Sequence, residues 1–194
     1  MDKFQEIIGW VSGGLTILYH LAPLYPFSRV LIGKLNFEDS PGAFVTTCYM
    51  NCFAWYAYGD TIFSEQIKYS YLVAAGVSLI FMIIYLAYEL KKYLVDTILN
   101  ILILITASFS AHRALMLLIY DDRIVGAICT LTSIVVYATP MHLLYKVIKD
   151  KNYIIIPINF ALIYLLACIS WIIYGVLITD FFVICSHSIG AIFL

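Results

Sequence analysis

Charge is what this chain has least of. Of its 194 residues, 12% are Asp, Glu, Lys or Arg and 63% are hydrophobic. Soluble domains carry about 25% charged and about 45–50% apolar residues. A soluble fold of this length cannot hide so much apolar surface, so the solvent must be largely lipid. The net charge is −1, and with no basic block there is no footprint for nucleic acid. No Gly-rich phosphate loop is present. The five cysteines (Cys48, Cys52, Cys129, Cys168, Cys185) lie inside apolar runs without zinc-site spacing, and read as buried thiols. Met1 to Glu6 lacks a basic n-region and a small-x-small cleavage site, so the first apolar segment is expected to be retained. No nucleophile–base–acid set stands out, which argues against an enzyme, and no cofactor or metal is expected.

What is present is a series of long apolar runs. A helix crosses a bilayer core in about 17–25 residues. At that length, spans fall at 7–30, 42–60, 67–88, 94–118, 124–147, 154–175 and 177–194. Polar or charged breaks separate them, among them Glu89-Leu90-Lys91-Lys92 and Asp121-Asp122-Arg123. Between the last two only Thr179-Asp180 intervenes, so that turn must be very tight or its boundary lies elsewhere. The last span is short, which implies local thinning of the bilayer or a chain cut early. Arg29, Lys34, Lys91, Lys92, Lys146, Lys149 and Lys151 lie in loops after spans one, three and five, whereas Lys3, Lys68 and Arg123 lie on the other side. The positive-inside rule then puts the N-terminus outside, extracellular or lumenal, and the C-terminus in the cytoplasm, in the plasma membrane or an endomembrane.

The chain also repeats itself. Cys52-Phe53-Ala54-Trp55-Tyr56-Ala57-Tyr58-Gly59 in span two is echoed by Cys168-Ile169-Ser170-Trp171-Ile172-Ile173-Tyr174-Gly175 in span six, 116 positions later. Pro41 and Pro157 keep that offset. Pro23 and Pro140, Arg29 and Lys146, and Lys34 and Lys151 are offset by 117, which one deletion in the intervening loop reconciles. A tandem copy of three spans would land upside down. Span four restores the parity, and the basic loops agree. The expected architecture is all-α and integral to the membrane, with seven helices as 3+1+3. Residues 1–92 form the first three-helix repeat, 93–120 a linker helix and 121–194 the second repeat, the two copies parallel about an axis along the membrane normal. Paired halves of this kind are a transporter signature.

Leu21-Ala22-Pro23-Leu24, then Val125 to Cys129 with Tyr137-Ala138-Thr139-Pro140, then Trp171 to Gly175 with Asp180-Phe181-Phe182-Val183, together resemble the SWEET (MtN3/saliva) sugar transporters of the PQ-loop clan. The resemblance covers nearly the whole chain and is weakest in span four. It implies a facilitative, bidirectional sugar uniporter working by alternating access, with the sugar and the bilayer as partners and a hint of homo-oligomers. It also implies that Pro23, Pro41, Pro140 and Pro157 are bending points of an inner gate. Proline removes a helix hydrogen bond and kinks its helix, although Pro41 and Pro157 can equally be helix starts, where proline costs little.

The pocket carries over from the family by position. Sites seven and four residues before the helix-one and helix-five prolines give Thr16 and Tyr19, and Ser133 and Val136. The aromatic position of helices two and six, and the site four residues before it, give Trp55 with Asn51 and Trp171 with Ala167. Residues four apart share a helical face, and aromatic rings beside Asn, Ser and Thr suit a sugar's C–H face and its hydroxyls. An interfacial aromatic belt is the competing reading for Trp55, Trp171 and Tyr56. Counting three residues back from Gly76 and Gly190 gives Val73 and His187 where the family has paired asparagines. With both asparagines missing and Tyr19 bulkier than its mate Val136, a smaller, lopsided pocket for a monosaccharide is expected. Tyr58 and Asp180 fall at the family's outer gate, although Asp180 reads equally as a solvated turn residue. No chain of acids runs through the spans, which favours uniport over proton coupling; His20, His112 and His142 form no evident relay, and Arg113 should face helices, water or headgroups. Competing readings are a PQ-loop transporter of amino acids or another small solute, a seven-helix receptor, which the repeat argues against, and a cargo receptor.

Overall fold

The computed structural model describes residues 2–33, 42–89, 121–150 and 158–193. All regular structure among them is helical: α1 Lys3–His20, α2 Leu24–Leu31, α3 Gly42–Thr61, α4 Glu65–Glu89, α5 Asp122–Asp150, α6 Ile158–Leu177 and α7 Phe181–Ile192. The expected linker span at 94–118, with His112 and Arg113, lies outside the described residues, as do Pro41 and Pro157.

Proline sets the first break. Pro23 has no N–H to continue α1, which ends at His20, and a short turn follows in which Ala22 N–H bonds Tyr19 O at 2.9 Å and Leu24 N–H bonds Leu21 O at 3.0 Å. Around Pro140 the outcome differs, because α5 runs unbroken from Asp122 to Asp150. The difference is in the sequence. Pro26 follows Pro23 within one turn, so two backbone donors are lost together, whereas Pro140 stands alone.

The two tight turns are copies of each other. After α3, Ile62 N–H bonds Tyr58 O at 3.0 Å and Ser64 N–H bonds Gly59 O at 2.9 Å; after α6, Ile178 N–H bonds Tyr174 O at 3.0 Å and Asp180 N–H bonds Gly175 O at 2.8 Å. Phe63 (φ 56°) and Thr179 (φ 55°) take the left-handed conformation at matching positions. That conformation ends a helix by satisfying its last carbonyls, and it is costly for a non-glycine residue. Ser64 Oγ then accepts from Ile67 N–H at 3.3 Å, and Asp180 Oδ1 from Val183 N–H at 2.9 Å, capping α4 and α7. The turn between the last two apolar runs is therefore real, and α7 starts at Phe181 rather than at 177.

Helices in contact follow the order α1–α4–α3–α5–α7–α6 and back to α1, a ring of two triplets. In each triplet the third helix packs against the other two. The joins between triplets are α1 on α6 and α3 on α5. Close packing at the turns needs glycine, since a Cβ on Gly59 would lie 2.5 Å from Lys68 N, and one on Gly175 3.1 Å from Ile184 N.

The bundle buries a set of polar side chains among its apolar and aromatic core and presents large apolar side chains outward. Ser12, Thr16, His20, Asn51, Ser70, Ser78, Ser133, Ser186 and His187 are buried, whereas Trp10, Leu72, Ile80, Leu131, Leu162, Leu166 and Val176 stand exposed. An apolar outer surface with polar groups gathered inside is expected where lipid is the solvent and polar groups must find partners within the protein. By length and composition, Lys3–Arg29 and Glu65–Tyr85 can each cross a membrane, and Ala161–Leu177 and Phe181–Ile192 are shorter apolar helices.

Candidate functional site

Trp55 on α3 and Trp171 on α6 are each 1% exposed, so neither sits in an interfacial belt. Each reaches into the opposite triplet. Trp55 Nε1–H donates to Ser133 Oγ on α5 at 3.0 Å, and Trp171 Nε1–H donates to Thr16 Oγ1 on α1 at 2.7 Å. The two bonds are counterparts under the sequence repeat. The sequence-predicted residues thus meet as cross-pairs, and each indole N–H is satisfied where burial demands it.

The ends of these networks differ between the halves. Ser133 Oγ and Thr132 Oγ1 both donate to Asn51 Oδ1, at 3.1 and 2.8 Å. The counterpart of Asn51 is Ala167, which offers no such acceptor. Thr16 instead donates to Ser12 O at 3.0 Å, one turn back. One amide therefore faces the cavity from one side only.

Between the indoles lie two further rings. Tyr71 on α4 stacks on Trp55 (centroids 5.5 Å apart, 19° between planes) and on Trp171 (5.8 Å, 28°). His187 on α7 lies 5.4 Å from Trp55 and 5.7 Å from Trp171. The expectation for Val73 is corrected here, since Val73 is 49% exposed on the outer face and Tyr71, 4% exposed, holds the inner position. The reason is register. Val73 and His187 are 114 apart, whereas Tyr71 and His187 keep the offset of 116 that governs the rest of this face. Holding to that offset would have found Tyr71.

A cavity of about 30 Å³ lies against this ring layer, lined by Thr16, Tyr19, Asn51, Val136, Ala167, Trp171 and His187 among the predicted residues, and by His20, Tyr71, Tyr137, Tyr164 and Cys168 besides. That volume holds a water or two and no sugar ring. Trp55 and Ser133 belong to the surrounding network rather than to the wall. Toward Pro23 the floor is tyrosine: Tyr19 lies 4.5 Å from Tyr164, and Tyr137 5.8 Å from Tyr164. The repeat counterparts of Tyr19 and Tyr164 are the small Val136 and Cys48, so the bulk falls on one side. His20 borders the same space. Its Nδ1 is 2.8 Å from Thr16 O, which can only accept, so Nδ1 carries the proton and Nε2 accepts from the Cys52 thiol at 3.1 Å.

The far end of the bundle is latched twice. Tyr58 O–H donates to Asp180 Oδ2 at 2.6 Å. Its counterpart Tyr174 meets Ser64 Oγ at 2.9 Å and Gln66 Oε1 at 3.2 Å. Asp180 is thus engaged across the halves as well as capping α7. Sequence reasoning placed Tyr58 and Asp180 here and missed the second latch, although the same offset of 116 leads from Tyr58 to Tyr174 and from Ser64 to Asp180.

A ring of helices with a buried polar and aromatic layer, an apolar exterior and paired cross-triplet contacts defines the class, an integral membrane helical bundle around a small central cavity. The chain belongs to the MtN3/saliva family, described as "Sugar efflux transporter for intercellular exchange", whose family model matches residues 6–93 and 123–194. It is similar to the bidirectional sugar transporter SWEET3 of Arabidopsis thaliana (29% identical over 97% of this chain and 75% of the relative). It is also similar to the sugar transporter SWEET1 of Drosophila pseudoobscura pseudoobscura (24% over 84% and 74%). A eukaryotic SWEET transporter structure at 3.7 Å resolution shares the fold with a TM-score of 0.77, at 19% identity over 98% of this chain and 94% of that one.

Proposed function

We propose that this chain is a facilitative, bidirectional carrier of a single-ring sugar that works by alternating access. The observation that carries the reading is the reciprocal pairing of Trp55 with Ser133 and of Trp171 with Thr16 around one buried cavity. Any tilt of one triplet against the other changes both pairs together, so the solute site and the relative position of the halves are mechanically one. Family membership and the names of the relatives supply the solute class. The tyrosine floor, bulky on one side only, favours a monosaccharide over a disaccharide.

In this reading the Tyr58–Asp180 and Tyr174–Ser64 bonds close the outer end. The inner end is closed over the tyrosine floor and opens by bending at Pro23, Pro41, Pro140 and Pro157. The break at Pro23 supports a hinge there. Thr16, Tyr19, Asn51, Trp55, Ser133, Val136, Ala167, Trp171 and His187 hold or frame the sugar. The arrangement is 3+1+3: residues 1–92 and 121–194 form parallel repeats, 93–120 cross the membrane as a linker helix, and the N-terminus is outside. The two separate stretches matched by the family model support that division. Copies associate through their helices, which crosslinking in native membranes reads.

The test is counterflow in proteoliposomes. Saturable exchange of labelled glucose without a pH gradient supports uniport. Exchange that requires a proton gradient, or amino-acid flux in place of sugar flux, overturns it. Selective labelling of the two chain ends in sealed vesicles tests the topology, which fails if both ends lie on one face.

A further inference from the structure

His20 is the last residue of α1, just before the break at Pro23, and its ring holds two helices at once. Nδ1–H donates to Thr16 O at 2.8 Å within α1, and Nε2 accepts from the Cys52 thiol of α3 at 3.1 Å. The imidazole is 7% exposed and Cys52 is fully buried. Since α4 packs against both α1 and α3, this bond ties directly two helices that the third already joins. The repeat makes the tie informative. The counterparts of His20 and Cys52 are Tyr137 and Cys168. No hydrogen bond joins those two among the described residues, and there α5 runs on through Pro140. The tie is thus present in the half whose first helix breaks and missing from the half whose first helix does not.

We propose that the His20–Cys52 tie is a solute-released brace on the hinge at Pro23, with His20 as a positioning residue. The proposal rests on the sugar-carrier reading. A thiol is a weak donor, and His20 lines the central cavity. A hydroxyl entering that cavity is a stronger donor than the thiol it replaces on Nε2. In the empty carrier the imidazole accepts from Cys52, and the end of α1 is held to α3. In the loaded carrier a solute hydroxyl donates to Nε2, the thiol is released, and the end of α1 is free to turn at Pro23. The hydroxyl, the thiol and Nδ1 each keep their proton, so only the acceptor changes partner. The empty carrier therefore reorients more slowly than the loaded one, and exchange of sugar outruns its net flux.

The experiment uses the full chain in proteoliposomes, with the five native cysteines in the parent. An impermeant thiol reagent is applied, without sugar, from the side opposite the Tyr58–Asp180 latch. Modification is read at Cys168, which lines the cavity, by peptide mass spectrometry. Cys52→Ala removes the donor, and Cys52→Ser puts a stronger donor in nearly the same volume. Loss of one weak hydrogen bond is expected to speed modification about threefold in Cys52→Ala, and the stronger bond to slow it about threefold in Cys52→Ser. His20→Phe keeps a ring without the acceptor and should follow Cys52→Ala; should it fail to fold, the Cys52 pair decides. Cys52 variants that change the rate in the same direction, or that both match the parent, overturn the brace, because a thiol that only fills space has no reason to move in opposite directions. The second readout is the ratio of glucose exchange to net glucose efflux, expected to fall toward one in Cys52→Ala and to rise in Cys52→Ser. A ratio unmoved in both variants overturns release by the solute. A parent chain that exchanges no glucose overturns the carrier reading, while the modification rates still decide whether the brace exists.

Discussion

Replacing Tyr58 by phenylalanine removes one hydroxyl and nothing else from the closed end of the bundle. That hydroxyl donates to Asp180 Oδ2 at 2.6 Å. Hydrogen bonds to a charged partner contribute about 1.5–3 kcal/mol. Asp180 is only partly buried and still accepts from Val183 N–H, so its carboxylate is not stranded when Tyr58 changes. The lower figure, about 1.5 kcal/mol, is therefore the right one, and it shifts the closed–open balance about tenfold toward open at this end. The second latch is made between neutral groups, Tyr174 with Ser64 at 2.9 Å and with Gln66 at 3.2 Å. Its loss in Tyr174→Phe is worth about 1 kcal/mol, or roughly fivefold. The assay is modification of Cys168 by an impermeant thiol reagent confined to the latch side, compared with the same reagent on the opposite side. Tyr58→Phe should raise the first rate and lower the second. A latch-side change under twofold, or equal rises on both sides, would refute the view that these bonds hold one end shut.

Further expectations follow from the same contacts. Thr16→Val leaves the Trp171 indole N–H buried without its partner and should lower the stability of the detergent-purified protein by about 1–3 kcal/mol; adding Trp171→Phe should recover part of that loss, which a thermal-unfolding cycle of the four variants would show. Gly59→Ala would place a methyl 2.5 Å from the Lys68 backbone nitrogen and should cost about 3 kcal/mol or prevent folding, whereas Gly14→Ala meets open space and should be neutral or slightly stabilising, as size-exclusion and melting profiles would record. Asp180→Asn keeps an acceptor at the start of α7, while Asp180→Ala loses both the cap and the Tyr58 bond, so only the alanine variant should lose about 1 kcal/mol from the cap.

Much of the fold was legible because it depends on local rules. The apolar runs, the breaks between them and the offset of 116 are properties of the chain read in one dimension, and they lead to two like triplets. Trp55, Trp171, Thr16, Ser133 and Asn51 came from the family resemblance, carried over by position from a proline or an aromatic, and helical spacing added only that residues four apart share a face. Val73 was misplaced because counting from a glycine broke the register that the rest of the helix keeps. Gly76 is exposed and marks no contact, so it was a poor reference point. Pro23 and Pro140 were both expected as bending points; what the sequence reading did not distinguish is that a helix ends before Pro23, where Pro26 follows within one turn, and runs on through Pro140, which stands alone.

The sequence by itself determined that the chain lives in lipid, that it is helical and that it is made of two related halves, because hydropathy and periodicity act residue by residue. Tertiary structure alone decided which groups face each other across the halves. The indole-to-hydroxyl pairs, the second latch and the Tyr71–His187 hydrogen bond join residues from 78 to 155 positions apart only when six helices close into a ring. Their partners are chosen by where helices cross, and no pattern within a single helix encodes that.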